Sequence, residues 1–576
     1  MPLLRAIRAV ASALLLPAAL AAQAPAARTT ISAADRARID ASFLDYDKPH
    51  VPGCALGVMR NGTLAYARGY GWADLERGAP ITTATLFDIG STSKQFAAAS
   101  IAMLVAEHRL AYMDDIRKYI PEMPDYGAPI TIDNLMHHTS GLRDYTGLLV
   151  LAGHSLEEAA TDSQALARIV RQRHLNFPTG SKYEYSNTGY FLLSVIVRRV
   201  SGKPLADFAR ERIFIPLGMT DTRYRNHAAM LIPNRALGYA PDDSGGFRNS
   251  MSNWEQTGDG AVHLSVRDAL KWDENFYHPR VGGAQMVRDL QTRGTLANGD
   301  TINYARGLNI DHYRGLRRVE HGGDWIGYHA AYSRFPDQHT SVIILCNSDG
   351  ISPTEIADRV SDIVLAGSFP EKRVAGAPAR DTTHSAARPS RSLSVSRVIG
   401  SYYASATDEV VRIIAKGDSL MLGLVGRSFP LQATGPATYS VAALPVSLEF
   451  ISDDDSPARA LRVHVGSELR EEAVRFTAVA PSDEDLRQLT GSYFSPELGV
   501  TWPLTLENGQ LVLNKGAPEV IDIAGKLEPA MRDAFTAGSG LVHFTRDASG
   551  HVTGFDVSAS RMRAIRFDRL SASPPS

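Results

Sequence analysis

Leu86-Phe87-Asp88-Ile89-Gly90-Ser91-Thr92-Ser93-Lys94-Gln95-Phe96-Ala97-Ala98-Ala99-Ser100 reads as a short apolar strand that turns into a helix at a serine. Residues 96–110 are rich in Ala and Leu at helical spacing. Ser91 and Lys94 stand three residues apart at the helix start and therefore share one face, one turn apart. A serine hydroxyl is a weak nucleophile until a neighbouring base takes its proton, which a lysine can do once burial disfavours its charged form. The free N–H groups and positive dipole end of a helix start stabilise a developing oxyanion. Ser-x-x-Lys alone arises by chance about once in a chain this long, so its surroundings decide.

Outward from this point, residues 54–59 and 64–70 are strand-like and flank Asn61-Gly62, a hairpin signal. Helical patterns follow over 163–170, 190–200 and 266–276. Strands over 330–335 and 341–346 flank the turn Pro336-Asp337, and a helix over 354–365 closes the unit. Strands at both ends with helices between predict one mixed domain whose sheet is completed by its termini.

Two further patterns agree with the first. Pro178-Thr179-Gly180 places a turn before Tyr185-Ser186-Asn187, which leads into the 190–200 helix. A tyrosine near a lysine can become phenolate-like and act as a base, and an asparagine beside it can hold a substrate carbonyl. Tyr224-Arg225-Asn226 matches the same pattern without turn or helix and is set aside. His321-Gly322-Gly323 precedes the 330–346 strand pair; glycines there allow close backbone approach, and the next N–H, on Asp324, can complete an oxyanion hole.

Together, Ser91-x-x-Lys94, Tyr185-x-Asn187 and His321-x-Gly323 resemble the serine β-lactamase-like superfamily of penicillin-recognising enzymes. Leu135-Met136-His137-His138-Thr139-Ser140-Gly141-Leu142 looks like that family's site-lining segment, and Gly258-Asp259-Gly260-Ala261-Val262 like another of its elements. The resemblance covers 41–367. It implies an α/β (α+β) domain: an antiparallel sheet flanked by helices, with a helical subdomain and the site between them. Ser91 is then acylated, Lys94 and Tyr185 exchange its proton, and Asn187 orients the substrate amide. The N–H groups of Ser91 and Asp324 form the oxyanion hole.

One departure is informative. Where β-lactamases and DD-peptidases usually carry Lys-Thr-Gly, this chain has His321-Gly322-Gly323. An imidazole of ordinary pKa about 6.5 is mostly neutral at pH 7 and holds a carboxylate less well. That favours esters, amides or peptides cut near a charged N-terminus over β-lactams and D-alanyl carboxylates.

The chain has 576 residues, too many for one core. Residues 371–394 read as a linker, rich in Ala, Ser, Pro, Thr and Arg, after a catalytic domain over 30–370. Short alternating strands follow, with an internal repeat: Gly400-Ser401-Tyr402-Tyr403 returns 91 residues later as Gly491-Ser492-Tyr493-Phe494, and Arg475-Phe476 as Arg566-Phe567 at the same offset. Two small antiparallel β-barrels, 395–481 and 482–570, are expected. His-x-Gly with two barrels resembles the D-aminopeptidase branch, in which the barrels cover the site and a loop of the last shapes substrate choice. By position 516–531 is the candidate loop; packing or oligomerisation is the other reading of the barrels.

Arg5 and Arg8, an apolar run over 10–19 and small residues to 24 read as a signal peptide over 1–22, making the mature protein periplasmic or secreted without a membrane anchor. With 60 basic and 62 acidic residues and no basic stripe, a nucleic-acid partner has no support. Cys54 and Cys346 both lie in apolar strands; a disulfide is permitted in an oxidising compartment, and two buried thiols are the expectation. Neither they nor His137, His138, His321 and His329 match a metal template, and no cofactor is expected. Gly417-Asp418-Ser419-Leu420 spells another hydrolase signature but reads as a hairpin turn, and His154-Ser155 lacks the glycines of a nucleophile elbow. The expected function is hydrolysis of small D-amino-acid amides or peptides through Ser91. Carboxylesterase, D-alanyl-D-alanine carboxypeptidase and β-lactamase activity are the enzymatic alternatives, and a catalytically dead binding protein the non-enzymatic one. A homo-oligomer is left open.

Overall fold

The computed structural model describes residues 30–370 and 394–571, apart from 418, 425–426, 442–445, 454–455, 466–467, 515–524 and 539. The expected signal peptide and nearly all of the expected linker lie outside the described residues.

A hairpin of β1 (Cys54–Arg60) and β2 (Thr63–Tyr70) begins the main sheet. Asn61 and Gly62 between them have φ of 47° and 75°, the paired left-handed turn that Asn-Gly accepts at little cost. Four late strands complete the sheet: β3 (Asn309–Tyr313), β4 (Leu316–Trp325), β5 (Tyr328–Phe335) and β6 (Thr340–Cys346). Over the described residues the order is β3-β4-β5-β6-β1-β2, antiparallel throughout, so the two ends of the domain meet at β6 and β1.

Alternation along β1 sorts the core. Cys54, Leu56 and Val58 face α1 (Ala33–Ala41), packing with Ile39, Val342 and Ile344. Ala55 and Met59 face the opposite core, with Phe96, Ile343 and Trp272. In that core lies α2 (Lys94–Ala106), buried continuously from Lys94 to Leu104. A helix apolar on every side has no solvent face to offer, which suits one enclosed between a sheet and a helical layer. The helical layer includes α3 (Asn187–Ser201), whose residues Thr188–Val197 are buried, and short helices between 132 and 217.

Cys54 and Cys346 are register partners on β1 and β6 and form a disulfide, S–S 2.07 Å, which corrects the expectation of two thiols. Strand pairing brings the two Cα atoms to 4.1 Å across 292 residues, a proximity that spacing along the chain does not reveal.

The first repeat closes into a barrel, Ser401–Tyr403 pairing with Val474–Phe476. The second is nearly closed: its edge strands Gly525–Lys526 and Glu528–Met531 are consecutive in the chain. The start of the repeat is equivalent in both, Tyr402 donating its hydroxyl hydrogen bond to Val398 O and Tyr493 to Leu489 O. The end is not. Tyr402 is paired with Arg475 but Tyr493 with Arg569, three residues beyond Arg566, so the second unit is longer at its last hairpin. Ser419 begins a strand opposite Lys416, as a hairpin requires.

Candidate active site

Ser91 lies in a 3-10 turn, Gly90–Ser93, that runs into α2. Lys94 is fully buried, and its Nζ donates to Ser91 Oγ at 2.9 Å, Asn187 Oδ1 at 2.9 Å and the Asp259 carbonyl at 2.8 Å. Burial lowers the Lys94 pKa; Asp259 pulls it back up, while Arg561 pushes it further down. Three donors meeting three acceptors describe an ammonium. Losing one proton lets the nitrogen keep two of these bonds and accept the third from the Ser91 hydroxyl, the arrangement a base needs.

Tyr185 packs its ring 4.8 Å from Lys94 Nζ. Its hydroxyl is buried without a hydrogen-bond partner of ordinary geometry. Burial pushes the phenol well above its ordinary pKa, although nearby Ser91 acts the other way. This burial works against the phenolate-like state expected of Tyr185 and favours a neutral phenol that can donate a proton. Asn187 opens α3, and its N–H donates to Asp144 Oδ2 at 2.9 Å. With Oδ1 engaged by Lys94, its amide nitrogen is the group left to meet a substrate carbonyl.

His321 lies in β4, and Gly323 lets that strand pass the nucleophile's turn. A Cβ on Gly323 would fall 1.9 Å from Ile89 O, and one on Gly90, itself at φ 48°, would fall 2.8 Å from Asp324 N. The glycines thus serve the approach of β4 to the Ser91 turn, bringing the Asp324 backbone beside it. The Asp324 side chain is exposed, 2.6 Å from His329. His321 Nδ1 sits 2.5 Å from Gly322 O and must donate there, so Nε2 accepts from Tyr304 at 2.9 Å. Burial, reinforced by Lys94, lowers the His321 pKa to about 4, leaving the ring neutral at neutral pH.

Ser91, Tyr185, Asn187, His321 and Asp324 line one cavity of about 430 Å³, with Lys94 beneath it. Asp259, Gly260 and Ala261 line it too, whereas Leu135–Leu142 does not. His138 from that segment packs behind Tyr185, ring centroids 4.2 Å apart, and accepts from the Ser186 N–H at 3.2 Å. The other histidines weighed for metal have protein partners: His137 with Asp133 and Thr292 O, His329 with Asp324 and Asp349.

The second barrel also reaches the cavity, while most of the expected loop, 516–531, lies outside the described residues. Residues 525–531 contribute nothing to the lining. The turn between β7 (Val552–Ala559) and β8 (Met562–Arg569) does, through Arg561. Its guanidinium stands 3.1 Å from Asp144 and over the Tyr185 ring. Its carbonyl accepts from the Asp144 N–H and Asn176 Nδ2. Nearby, Arg143 pairs with Glu497 at 3.0 Å and donates to the carbonyls of Arg563 and Ala564, docking the barrel. Asp144, Asp259 and Arg561 carried no functional signal in the sequence beyond Asp259's place in a family-like segment, because their partners are distant in the chain, and Tyr304, 17 residues from His321, belongs to no motif.

A family model described as Beta-lactamase matches residues 31–366. Penicillin-binding protein 4* of Bacillus subtilis (strain 168) is 29% identical over 439 residues, covering 73% of this chain and 94% of that protein. The D-aminopeptidase of Brucella anthropi is 26% identical over 556 residues, covering 92% of this chain and 99% of its own. The solved octameric penicillin-binding protein homologue from Pyrococcus abyssi shares the fold, with TM-score 0.54 at 22% identity, over 77% of this chain and 99% of that one.

Proposed function

Because the chain belongs to the beta-lactamase family of serine hydrolases, we propose that it cleaves small D-amino-acid amides or short peptides through an acyl-enzyme on Ser91, as a D-aminopeptidase does. The observation that carries this reading is the buried Lys94 amine 2.9 Å from Ser91 Oγ. Lys94 in its neutral form takes the Ser91 proton as Oγ bonds to the substrate carbonyl carbon. The oxyanion is held by the Ser91 and Asp324 N–H groups, while Asn187 orients the substrate amide. As the C–N bond breaks, the neutral Tyr185 phenol gives its proton to the leaving amine and Lys94 replaces it. Water then repeats the sequence on the ester carbonyl, returning Ser91 and releasing the acid.

The substrate class is supported by charge. His321, neutral at neutral pH, offers no cation to a substrate carboxylate, the Arg561 guanidinium is balanced by Asp144, and the Arg225 guanidinium is engaged by the Ser252 and Ala228 carbonyls. The 26% likeness to a D-aminopeptidase, extending through the barrels, points the same way. Export is part of the proposal: a disulfide between two fully buried cysteines suits an oxidising compartment. A homo-oligomer is also proposed, in keeping with the octameric relative.

The test compares D-alanine p-nitroanilide with its N-acetylated form, using the mature protein and Ser91→Ala. Cleavage of the free-amine substrate at least tenfold faster than the acetylated one, abolished by Ser91→Ala, is expected. Hydrolysis of a short-chain p-nitrophenyl ester with neither anilide cleaved would put a carboxylesterase in its place.

A further inference from the structure

Two residues lining the cavity each carry a buried acceptor oxygen without a hydrogen-bond donor, and Arg225, which also lines it, a buried Nε–H without an acceptor. Asp259, 8% exposed, uses Oδ2 to accept from the Tyr145 hydroxyl at 2.9 Å, and its Oδ1 has no hydrogen-bond partner. Gln256, 5% exposed, donates Nε2 to Ala160 O at 2.8 Å, and its Oε1 is likewise unpartnered. Turning the Gln256 amide over would set oxygen against the Ala160 carbonyl, so the oxygen is fixed on the other side. A buried acceptor without a donor is costly, and a protein retains one where a ligand supplies the missing proton.

The surroundings define that ligand. Both residues line the cavity that holds Ser91, beside Trp254, Trp325 and Tyr145, with the two indole rings 5.9 Å apart. A carboxylate oxygen and an amide oxygen beside aromatic faces suit a primary ammonium, which brings three donors and a charge that aromatic rings also attract. The loop is held in place: Ala261 adopts φ 74°, unusual for alanine, and Lys94 binds the Asp259 carbonyl.

We propose that Asp259 and Gln256 form the site for the substrate's free α-ammonium group, making them the residues that select an unacylated amino terminus. The proposal rests on the functional reading above and deepens it. It also ties binding to catalysis. The Asp259 charge favours the protonated form of Lys94. A substrate cation that neutralises Asp259 withdraws that support and leaves Lys94 readier to act as the base.

The experiment measures kcat/KM of the wild type, Asp259→Asn and Gln256→Leu on D-alanine p-nitroanilide and on p-nitrophenyl acetate, which has no amine. The amine-to-ester ratio is expected to fall at least thirtyfold in Asp259→Asn and about fivefold in Gln256→Leu, mainly through KM of the amine substrate. Two results overturn the site: both rates changing in proportion, which would mean that Asp259 acts only through Lys94, or an unchanged ratio in both variants. A wild type that cleaves the ester but no amine substrate is distinct from these; it overturns the functional reading and this site with it.

Discussion

Replacing Lys94 by Met is expected to lower kcat/KM by about a thousandfold or more, within the range found when a base or its nucleophile is removed. Methionine fills similar volume without a charge, so the fully buried position stays packed. Lys94→Arg should be as inactive, because a guanidinium cannot give up its proton at working pH. The pH profile carries the same information. Lys94 works only after losing its proton, and burial has moved that loss below the ordinary lysine value of 10.5. Activity should therefore rise with pH through the lowered value and disappear as pH falls beneath it. His321, already neutral above about pH 4, adds no step near neutrality. Steady-state rates from pH 4 to 10 check both points.

The second large effect concerns docking. Arg143 and Glu497 are 1% and 4% exposed in their side chains, and they join the helical subdomain to the second barrel. Arg143→Ala removes one partner and leaves a buried carboxylate uncompensated, a change that costs about 3–5 kcal/mol. It also strips the hydrogen bonds to Arg563 and Ala564 that hold the turn carrying Arg561. Calorimetry should show the barrel unfolding in a separate, earlier transition, with reduced activity as Arg561 leaves the cavity. An unchanged single transition would mean that docking does not depend on this pair.

What the sequence revealed follows from how far each signal reaches. Ser91 and Lys94 were legible because helical spacing alone puts them together, and Tyr185 and Asn187 because a turn and a helix start fix them locally. Asn61-Gly62 announced its hairpin through the φ values it tolerates. Contacts between distant segments left no such trace. Arg561 meets Asp144 across more than 400 residues, and neither is part of a motif. Cys54 and Cys346 meet only because β6 and β1 are register partners. The repeat was legible at its start, where the same tyrosine bond recurs. It misled at its end, where Arg569 rather than Arg566 takes the place of Arg475. The Tyr185 ring does lie beside Lys94, but spacing says nothing about the burial that raises its pKa.

The central claim, acylation of Ser91 with Lys94 as base, is tested most directly by labelling the protein with a fluorophosphonate probe and mapping the adduct by mass spectrometry. One adduct per chain is predicted, on the peptide containing Ser91, absent from Ser91→Ala and at least a hundredfold slower to form in Lys94→Met. An adduct on another residue, or hydrolysis that continues at full rate in Ser91→Ala, would contradict it.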